Sequence, residues 1–414
     1  MKKVIVVGGG ISGLCSAYYL VKEGYGVTLL DQTDMTNGAS FINAGYITPS
    51  HFIPLAAPGI ITQGLKWMLN SSSPLYIKPR WDMEFFKWAL LFKKSATTSK
   101  VKKAIPVLKE LNLKSRGLYE ELLASHDFDF HYERKGVLMA YCSDKAEHEE
   151  RKVAEQAIRE GLEASILSKE KLQEIQPVFS DKVKGAVHYQ CDAHMTPNHF
   201  MQQLKVWLLS QGVEFKFNQK VGGFTVKGKK IVSLKTQDSI FEADEFVLAS
   251  GSWTSKLVSS IGLDIPIQGG KGYSTDVHRP TDITLPTILV DARMAITPMD
   301  GFTRFAGTME FSGNNNTIKK ERVEALAKAV KTHYRDVEIQ PDELNRATSG
   351  LRPVSPDGLP YIGKTSKYQN LTIAAGHAMM GWSLGPVTGK LVAQEIAKAK
   401  TMVNLASLSP DRFK

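Results

Sequence analysis

A glycine-rich turn near the N-terminus, between a short apolar strand and a helix, constrains this chain most. Residues 4–31 read as a strand, the turn GGGISG at 8–13, a helix, and a second strand that ends in an acid. Gly8 permits a tight turn, Gly10 lets the backbone approach a pyrophosphate, and Gly13 lets the helix pack closely on the strand. The pattern predicts a Rossmann-like unit that binds a dinucleotide.

The residues around this turn supply the groups that a dinucleotide requires. The start of the helix, at Ile11 and Ser12, offers backbone N–H groups and a partial positive charge to a phosphate. Asp31 follows the turn by about 20 residues, where a carboxylate accepts hydrogen bonds from an adenosine ribose. We predict that Asp31 and the adjacent Gln32 contact the cofactor.

Two later segments are also rich in small residues. Residues 247–253, VLASGSW, predict a buried strand that ends at Ser250, Gly251 and Trp253, where the backbone can come close to a cofactor. Residues 374–396 join an apolar strand to a helix through a glycine-rich turn. Three separated glycine sites favour one long cofactor. A nicotinamide-dependent reductase would need a second dinucleotide fingerprint, and the sequence has none.

Taken together, these motifs resemble the FAD-dependent amine and amino-acid oxidoreductases of the D-amino-acid oxidase superfamily, above all the bacterial D-amino-acid dehydrogenases. The resemblance covers essentially all 414 residues. Its further carriers are SFINAG at 40–45, KGYS at 271–274, GLRP at 350–353, PDGLP at 356–360 and the turn at 376–389. It implies noncovalently bound FAD and an α/β (α+β) fold, in which a Rossmann-like FAD-binding domain is interleaved with an antiparallel-sheet substrate domain.

The two domains are expected to alternate along the chain. The FAD-binding domain is predicted to comprise residues 1–45, 146–222, 244–262 and 345–414, and the substrate domain residues 46–145, 223–243 and 263–344. Helices are predicted near 81–95, 104–125, 146–160 and 197–210. Strand 213–217 should join the parallel sheet, a small antiparallel meander should follow at 223–243, and a larger antiparallel sheet at about 265–311 should cover the flavin.

The resemblance also implies which residues contact the cofactor beyond the first turn. They are Ser40, Asn43, Ala44 and Gly45 on one side of the flavin, Gly376, His377, Gly381 and Trp382 on the other, and the backbone of Val221 at the adenine. A helix beginning near Pro386 would direct its positive end at the flavin and stabilise the charge of the reduced form.

Hydride transfer from an amino acid requires its Cα to be held against the flavin, and the substrate carboxylate is the natural handle. Arg352 is predicted to hold the substrate carboxylate, because a guanidinium matches a carboxylate in geometry and charge. The alternative is a surface arginine in a proline-rich turn.

Tyr273 is predicted to share the carboxylate or close the pocket, unless it is an ordinary strand aromatic. His51 either donates a hydrogen bond to the flavin or is a loop histidine. No general base is required, since an amine that binds neutral can release hydride directly.

The charge distribution and the cysteine content bear on possible binding partners and on the cellular compartment. The formal net charge is +10, but the basic residues are scattered without an adjacent recognition motif, so no nucleic-acid partner is predicted. The three cysteines are widely spaced and form no C-x-x-C pair, which predicts a reducing, cytoplasmic compartment and no structural metal.

An aromatic stripe on a predicted helix could contact a membrane surface. In that case the protein would be expected as a peripheral protein on the cytoplasmic face of the inner membrane. Four aromatic residues, with lysines nearby, lie at helical spacing: Trp81, Phe85, Trp88 and Phe92. We favour a buried core face, because large aromatic stripes are more often buried. The apolar stretch 54–69 could join such a patch.

Because the pocket loops show no obvious set of carboxylates, the expected substrates are small neutral or cyclic D-amino acids, such as D-alanine, D-proline or hydroxy-D-proline. Their D configuration is implied only by the resemblance. A quinone or other acceptor is expected to take the electrons, and an oxygen-using oxidase of the glycine, D-proline or sarcosine type is the alternative. A noncatalytic flavin-binding protein is disfavoured by the intact Arg352, Tyr273 and glycine segments.

Overall fold

Strands and helices alternate through most of the chain in the computed structural model, which describes residues 1–59 and 75–414. Within these residues the strands are β1 (Lys3–Val7), β2 (Gly26–Leu30), β3 (Tyr46–Ile47), β4 (Leu75–Ile77), β5 (Tyr132–Glu133), β6 (Val137–Tyr141), β7 (Ser165–Ser168), β8 (Gly185–Tyr189), β9 (Ala193–Met195), β10 (Glu214–Lys216), β11 (Gly223–Lys227), β12 (Lys230–Lys235), β13 (Ile240–Glu242), β14 (Glu245–Leu248), β15 (Gln268–Val277), β16 (Thr287–Leu289), β17 (Met294–Met299), β18 (Phe302–Phe311), β19 (Thr348–Val354), β20 (Tyr361–Lys364) and β21 (Leu371–Ala375). The helices are α1 (Ile11–Lys22), α2 (Met83–Ser95), α3 (Thr98–Ala124), α4 (Asp144–Arg159), α5 (Lys169–Ile175), α6 (Pro197–Ser210), α7 (Thr254–Ser259), α8 (Lys320–His333), α9 (Pro341–Asn345) and α10 (Gly385–Ala397).

Several helices begin where a polar side chain caps the first turn. Asp82, Thr97 and Ser143 each accept a hydrogen bond from the backbone N–H three residues further on, at the starts of α2, α3 and α4. Such caps satisfy N–H groups that have no partner within the helix. The observed helices α2, α3, α4 and α6 confirm those predicted from the sequence near 81–95, 104–125, 146–160 and 197–210.

Six strands form a sheet in the order β10-β2-β1-β14-β21-β20. All neighbours are parallel except β20 and β21. Both faces are buried: Val4 and Val6 of β1 pack in the core that contains α1 and α10, while Ile5 and Val7 pack in the core that contains β12 and α7. This Rossmann-like sheet is the one predicted, and β10 joins it where the strand at 213–217 was expected.

A second, larger sheet has the order β19-β15-β18-β17-β16-β6-β8-β7, and β4 pairs with β18 beside that path. Its pairs are antiparallel apart from β16 with β6 and β18 with β4. The antiparallel sheet predicted at about 265–311 forms its centre. The meander predicted at 223–243 is confirmed as β11, β12 and β13.

The pairing of strands and the packing of helices assign several segments to a different domain from the one expected. Residues 146–222 were assigned to the FAD-binding domain, but β7 and β8 pair in the large sheet. Conversely, α3 was assigned to the substrate domain, yet it packs against α10 in the core of the parallel sheet. Helical periodicity reveals that a helix has an apolar face but not which sheet covers that face. The meander at 223–243 was assigned to the substrate domain, but Ile231 and Leu234 of β12 pack in a core of the parallel sheet. Strand β19 was assigned to the FAD-binding domain, but it pairs with β15 of the large sheet. The remaining boundaries stay a prediction.

Part of the aromatic stripe on α2 is buried in the core, which is the alternative that we favoured over a membrane-facing surface. Phe85 and Trp88 are buried, and the rings of Trp88 and Phe311 are 5.2 Å apart between centroids. Trp81, in contrast, is 95% exposed. Residues 60–69 of the apolar stretch lie outside the described residues. In the described ranges, none of the helices has the length and apolarity to cross a membrane.

Candidate active site

A cavity of about 1470 Å³ lies between the parallel sheet and the large sheet, and all three glycine-rich segments contribute to its wall. Pockets for small ligands usually have volumes of roughly 300–1,000 Å³. The cavity is therefore large enough for a long cofactor together with a small substrate.

Most of the residues predicted from the sequence line this cavity. They are Gly8, Gly10, Ile11, Ser12, Asp31, Gln32, Ser40, Asn43, Ala44, His51, Val221, Ser250, Gly251, Trp253, Tyr273, Arg352, His377, Gly381 and Trp382. Gly13, Gly45 and Gly376 are not part of the wall. Gly13 instead lies beneath the turn, where a Cβ atom would be 3.0 Å from the carbonyl carbon of Gly8, which is the packing role expected for the third glycine. Gly45 and Gly376 lie against Met195 and Tyr361 respectively.

The first turn presents backbone donors at the cavity. Helix α1 begins after Gly10 with no cap from its N-cap residue and no acid in its first turn, but the Ile11 N–H already donates a hydrogen bond to Ser40 Oγ at 3.0 Å. The Asp31 carboxylate accepts hydrogen bonds from the Gly9 N–H at 2.7 Å and from the Thr33 N–H at 2.8 Å, which fix it at the wall. A helix start without an acid suits a pyrophosphate, and an adjacent fixed carboxylate suits a ribose. The residues present therefore fit the FAD that the resemblance implies.

The loop that precedes β3 is held by the large sheet. The Arg304 guanidinium donates hydrogen bonds to the carbonyl oxygens of Phe41 and Asn43 at 3.1 and 2.9 Å. The Thr297 hydroxyl donates to the carbonyl of Ala44 at 2.7 Å. The carbonyl groups of this wall segment thus point toward the sheet behind it. The sequence motif predicted the segment but not the side chains that fix it.

Arg352 extends from β19 over the neighbouring strand β15. Its Nη1 donates to the Thr308 carbonyl at 3.0 Å, and its guanidinium lies against Gly272. Burial lowers the pKa of Arg352 to about 10, so the group is still cationic at neutral pH. No carboxylate in residues 1–59 and 75–414 forms an ion pair with it. A shielded cation that lines a cavity and lacks an anion has the charge and the donors to bind a carboxylate.

Thr308 is a feature that the sequence did not reveal. It has a φ of +62°, which is rare for a β-branched residue, and its buried Oγ1 has no hydrogen-bond partner among the described residues. This conformation turns its carbonyl toward Arg352. Strained backbone of this kind gathers at binding sites.

Tyr273 differs from the prediction. Its hydroxyl donates a hydrogen bond to Glu310 at 2.9 Å, and its ring packs with Phe305 and Leu326 in the core of the large sheet. Because successive side chains of a strand point to opposite faces, Tyr273 points away from the face on which Gly272 meets Arg352. The expected role of the Tyr273 hydroxyl in holding a carboxylate is corrected accordingly. Tyr273 contributes to the wall but directs its hydroxyl to Glu310.

His51 belongs to a chain of hydrogen bonds that starts at the cavity. Its Nδ1 is 2.9 Å from Ser50 Oγ, and Ser50 Oγ donates to the Asp192 carboxylate at 2.5 Å. Burial lowers the pKa of His51 to about 4 and raises that of Asp192 to about 7. His51 is therefore neutral at pH 7. The partnership with Asp192 was invisible in the sequence, because 142 positions separate that residue from Ser50.

The turn before α10 contributes His377, Gly381 and Trp382 to the wall. The helix itself begins at Gly385, as expected near Pro386, but none of its residues lines the cavity. Its first turn faces α3, where the Val387 N–H donates to Ser115 Oγ at 3.4 Å. The helix start therefore does not form part of the cavity wall, and its stabilisation of a reduced flavin stays a prediction.

One carboxyl group of the wall was not expected. Glu150, on α4, lines the cavity, and burial raises its pKa to about 7, whereas the nearby Arg293 acts in the opposite direction. Glu150 lies on a helix, outside the loops that carry the motifs, so no sequence motif indicated it.

Known proteins resemble this chain in sequence and in fold. The sequence family described as FAD dependent oxidoreductase matches residues 3–395. The chain is 31% identical to a D-amino acid dehydrogenase of Helicobacter pylori over 396 residues, 95% of this chain and 94% of that protein. It is 30% identical to a D-amino acid dehydrogenase of Neisseria meningitidis over 424 residues, 99% of each. The solved structure of glycine oxidase from Geobacillus kaustophilus superimposes with a TM-score of 0.78 at 21% identity, covering 100% of this chain and 99% of that one.

Proposed function

This chain belongs to the family of FAD-dependent oxidoreductases, as its motifs predicted, and on that premise we propose that it oxidises small neutral or cyclic D-amino acids. The substrate loses hydride from Cα and becomes an imino acid, which hydrolyses to a 2-oxo acid and ammonia or stays cyclic if the substrate is proline-like. The FAD, bound noncovalently, supplies the hydride acceptor at N5. The names of the relatives that match the chain over its full length support this choice.

The position of Arg352 is the observation that carries the proposal. Its guanidinium lines the cavity without an ion-pair partner among the described residues, while Thr308 and Gly272 fix its position. A carboxylate bound there by two parallel hydrogen bonds would be held in both position and direction. That constraint is what a hydride donor needs, because transfer requires its Cα to stay against the acceptor.

The FAD contacts are assigned to the cavity residues of the three glycine-rich segments. The start of α1 would hold the pyrophosphate, and Asp31 the ribose. Val221 would meet the adenine. The wall segments at 40–44 and 377–382 would surround the flavin, because both line the cavity together with Arg352.

The amine of the substrate is proposed to react in its neutral form. His51 is neutral at pH 7 and can exchange a hydrogen bond with the amine or the flavin through Nε2, because its Nδ1 faces Ser50. Removal of water around the bound substrate would disfavour the ammonium form further. No residue is assigned as a general base.

The electrons are proposed to pass to a quinone or another acceptor at the cytoplasmic face of the inner membrane. The face of α2 that points to solvent supports a peripheral contact there. Trp81, Met83, Phe86 and Leu90 are exposed large hydrophobic side chains in and just before this helix. Lys93 and Lys94 are exposed at its end, and such a combination favours an anionic lipid surface.

The experiment that tests this function is anaerobic reduction of the purified yellow protein by a panel of D- and L-amino acids, glycine and N-methylglycine. Loss of flavin absorbance is followed for each compound. Rapid reduction by D-alanine or D-proline, followed by fast recovery with a soluble quinone and slow recovery in air, is the expected result. Reduction by L-amino acids alone would overturn the stereochemical assignment. Fast recovery in air would make the protein an oxidase, and a protein that binds FAD but is reduced by none of the compounds would be a noncatalytic flavoprotein.

A further inference from the structure

A cluster of two histidines and one glutamate lies on the small sheet β3-β9-β5, outside the cavity wall. One ligand atom from each of His131, Glu133 and His194 lies within 4.8 Å of the other two. Glu133 and His194 are directly opposite each other on β5 and β9. His131 immediately precedes β5. The strand pairing therefore gathers three metal-binding side chains from distant parts of the sequence.

The environment of His194 lacks the hydrogen bonds that a buried imidazole normally makes. The side chain is fully buried, and neither ring nitrogen has a hydrogen-bond partner within the described part of the chain. Burial lowers the pKa of His194. The Pro298 backbone is near enough to act on the ring as a weak hydrogen-bond partner, which raises that pKa slightly against the larger lowering by burial, but the contact does not meet full hydrogen-bond geometry. Its Nε2 is 3.4 Å from Glu133 Oε2. Buried polar groups are rarely left unsatisfied, and a cation between these two atoms would satisfy both.

The ring of His131 is already oriented for the same position. Its Nδ1 is 2.9 Å from Thr196 Oγ1, which also accepts a hydrogen bond from the Asp300 N–H at 2.9 Å. Metal-binding histidines commonly engage their second nitrogen in this way, which fixes the tautomer and leaves the first free. Thr196 precedes Pro197 at the start of α6 but does not cap it, so its side chain is available for this contact.

We propose that His131, Glu133 and His194 bind a divalent transition-metal ion such as Zn²⁺, with water completing its coordination. Two imidazoles and a carboxylate select such ions over Mg²⁺ and Ca²⁺, which prefer oxygen ligands. Tetrahedral zinc with bonds of about 2.0–2.1 Å keeps neighbouring ligand atoms roughly 3.3 Å apart. The 3.4 Å separation of Glu133 Oε2 and His194 Nε2 matches that edge.

Lys135 competes for the same carboxylate. Its Nζ is 2.9 Å from each oxygen of Glu133, and its side chain is 50% exposed. A metal ion must therefore displace the ammonium group, which can turn into solvent. This competition distinguishes a metal site from a purely structural cluster, because removal of Lys135 should strengthen metal binding if Glu133 is a ligand.

The test is calorimetric titration of the chelator-treated, FAD-containing protein with ZnCl₂. One Zn²⁺ ion per chain is expected to bind. The variant Glu133→Gln should bind at least about tenfold more weakly, since even the loss of a group that only orients a ligand costs 10–100-fold. Lys135→Met should bind several-fold more tightly. Glu163→Gln is the matched control, because Glu163 is exposed and its carboxylate is paired with the nearby Arg134.

X-ray absorption at the zinc edge of the wild-type protein gives a second readout that depends on no variant. Two imidazole ligands at about 2.0–2.1 Å are expected. The proposal is overturned if the wild type binds no Zn²⁺, if the absorption spectrum contains no imidazole, or if Glu133→Gln and Glu163→Gln bind Zn²⁺ equally. Flavin content and circular dichroism of each variant verify that it has folded.

Discussion

The guanidinium of Arg352 lies against Gly272 on the neighbouring strand, in the space that a side chain at 272 would occupy. A Cβ atom there would be 2.5 Å from both Cζ and Nη2 of Arg352. The two residues are on paired strands, β19 and β15, and both line the cavity. The position of the cation therefore depends on the absence of a side chain from its neighbour.

Gly272→Ala is expected to displace the guanidinium without removing it. The value of kcat/KM for D-alanine or D-proline should fall by about 100-fold, the effect of misplacing a bound group by roughly 1 Å. FAD content should be unchanged. Gly223→Ala is the control, because no atom lies within 4 Å of a Cβ at that strand position. Equal kinetics for the two variants would show that Arg352 does not position the substrate.

Arg352→Lys keeps the charge but loses the planar pair of donors. KM for the amino acid should rise by about 30-fold or more, since disrupting one partner of a buried charged pair costs roughly 2–5 kcal/mol. Steady-state kinetics with a quinone acceptor measure this, and Arg346→Lys, at an exposed arginine paired with Asp342, is the control. An unchanged KM would remove Arg352 from the substrate site.

Tyr273→Phe separates the corrected role of this residue from the one predicted by sequence. Loss of the hydrogen bond to Glu310 should lower the free energy of unfolding by about 1 kcal/mol and leave KM unaltered. Glu310→Gln should lower it by about 3–5 kcal/mol, because the buried Lys271 beside it loses its counter-charge. Urea unfolding and steady-state kinetics measure both quantities. A large increase in KM for Tyr273→Phe would restore the tyrosine to the carboxylate site.

The hydrogen-bond chain from His51 predicts a pH effect. When Asp192 is ionised, its carboxylate accepts a hydrogen bond from the Ser50 hydroxyl. Ser50 Oγ then accepts a hydrogen bond from the N–H at His51 Nδ1, and the Nε2 of His51 becomes an acceptor. Since burial raises the pKa of Asp192 to about 7, kcat/KM should rise through that pH. Asp192→Asn should abolish this inflection while leaving the ionisation of the substrate amine visible at higher pH. An inflection that persists in the variant would assign it to another group, Glu150 being the first to examine.

The carboxyl group of Asp192 also makes the free energy of unfolding depend on pH. Its pKa is higher in the folded protein than in the unfolded chain, so the stability that the protonated form contributes is fully present below about pH 4 and is lost as the pH rises toward 7. The free energy of unfolding of the wild type should fall relative to that of Asp192→Asn over this interval. Urea unfolding at pH 5 and pH 8 tests this, and a constant difference between the proteins would contradict it.

The double variant Trp81→Ser and Phe86→Ser is expected to weaken binding to vesicles of anionic phospholipid at least about tenfold, because each large apolar side chain is worth roughly 1.5–3 kcal/mol when transferred from water. Co-sedimentation measures the bound fraction. Val206→Ser with Ile240→Ser is the control, since these side chains are also exposed but lie elsewhere. A wild type that does not sediment with vesicles would remove the membrane from the proposal.

Local patterns in the sequence predicted local features well. The turn at 8–13 was readable because strand, glycines, helix and acid are adjacent in the chain. Tyr273 shows what a local motif cannot predict. The KGYS motif predicted a residue in this strand, but the face on which its side chain lies depends on the pairing with β18. That register shifts between Lys271 and Tyr273. Asp192 and Glu133 lie outside any motif, and only the pairing of distant strands reveals their partners.

The neighbours of β1 in the parallel sheet determine how this protein must assemble. Val4 of β1 pairs with Glu245 of β14, and Phe246 of β14 pairs with Leu371 of β21. Chains emerge from the ribosome N-terminus first, so the cofactor turn is synthesised long before the strand that supports it. Contacts of such sequence separation form slowly. One edge of β1 therefore stays uncovered until β14 has been made, and β14 in turn lacks its second neighbour until β21, near the end of the chain, has been made.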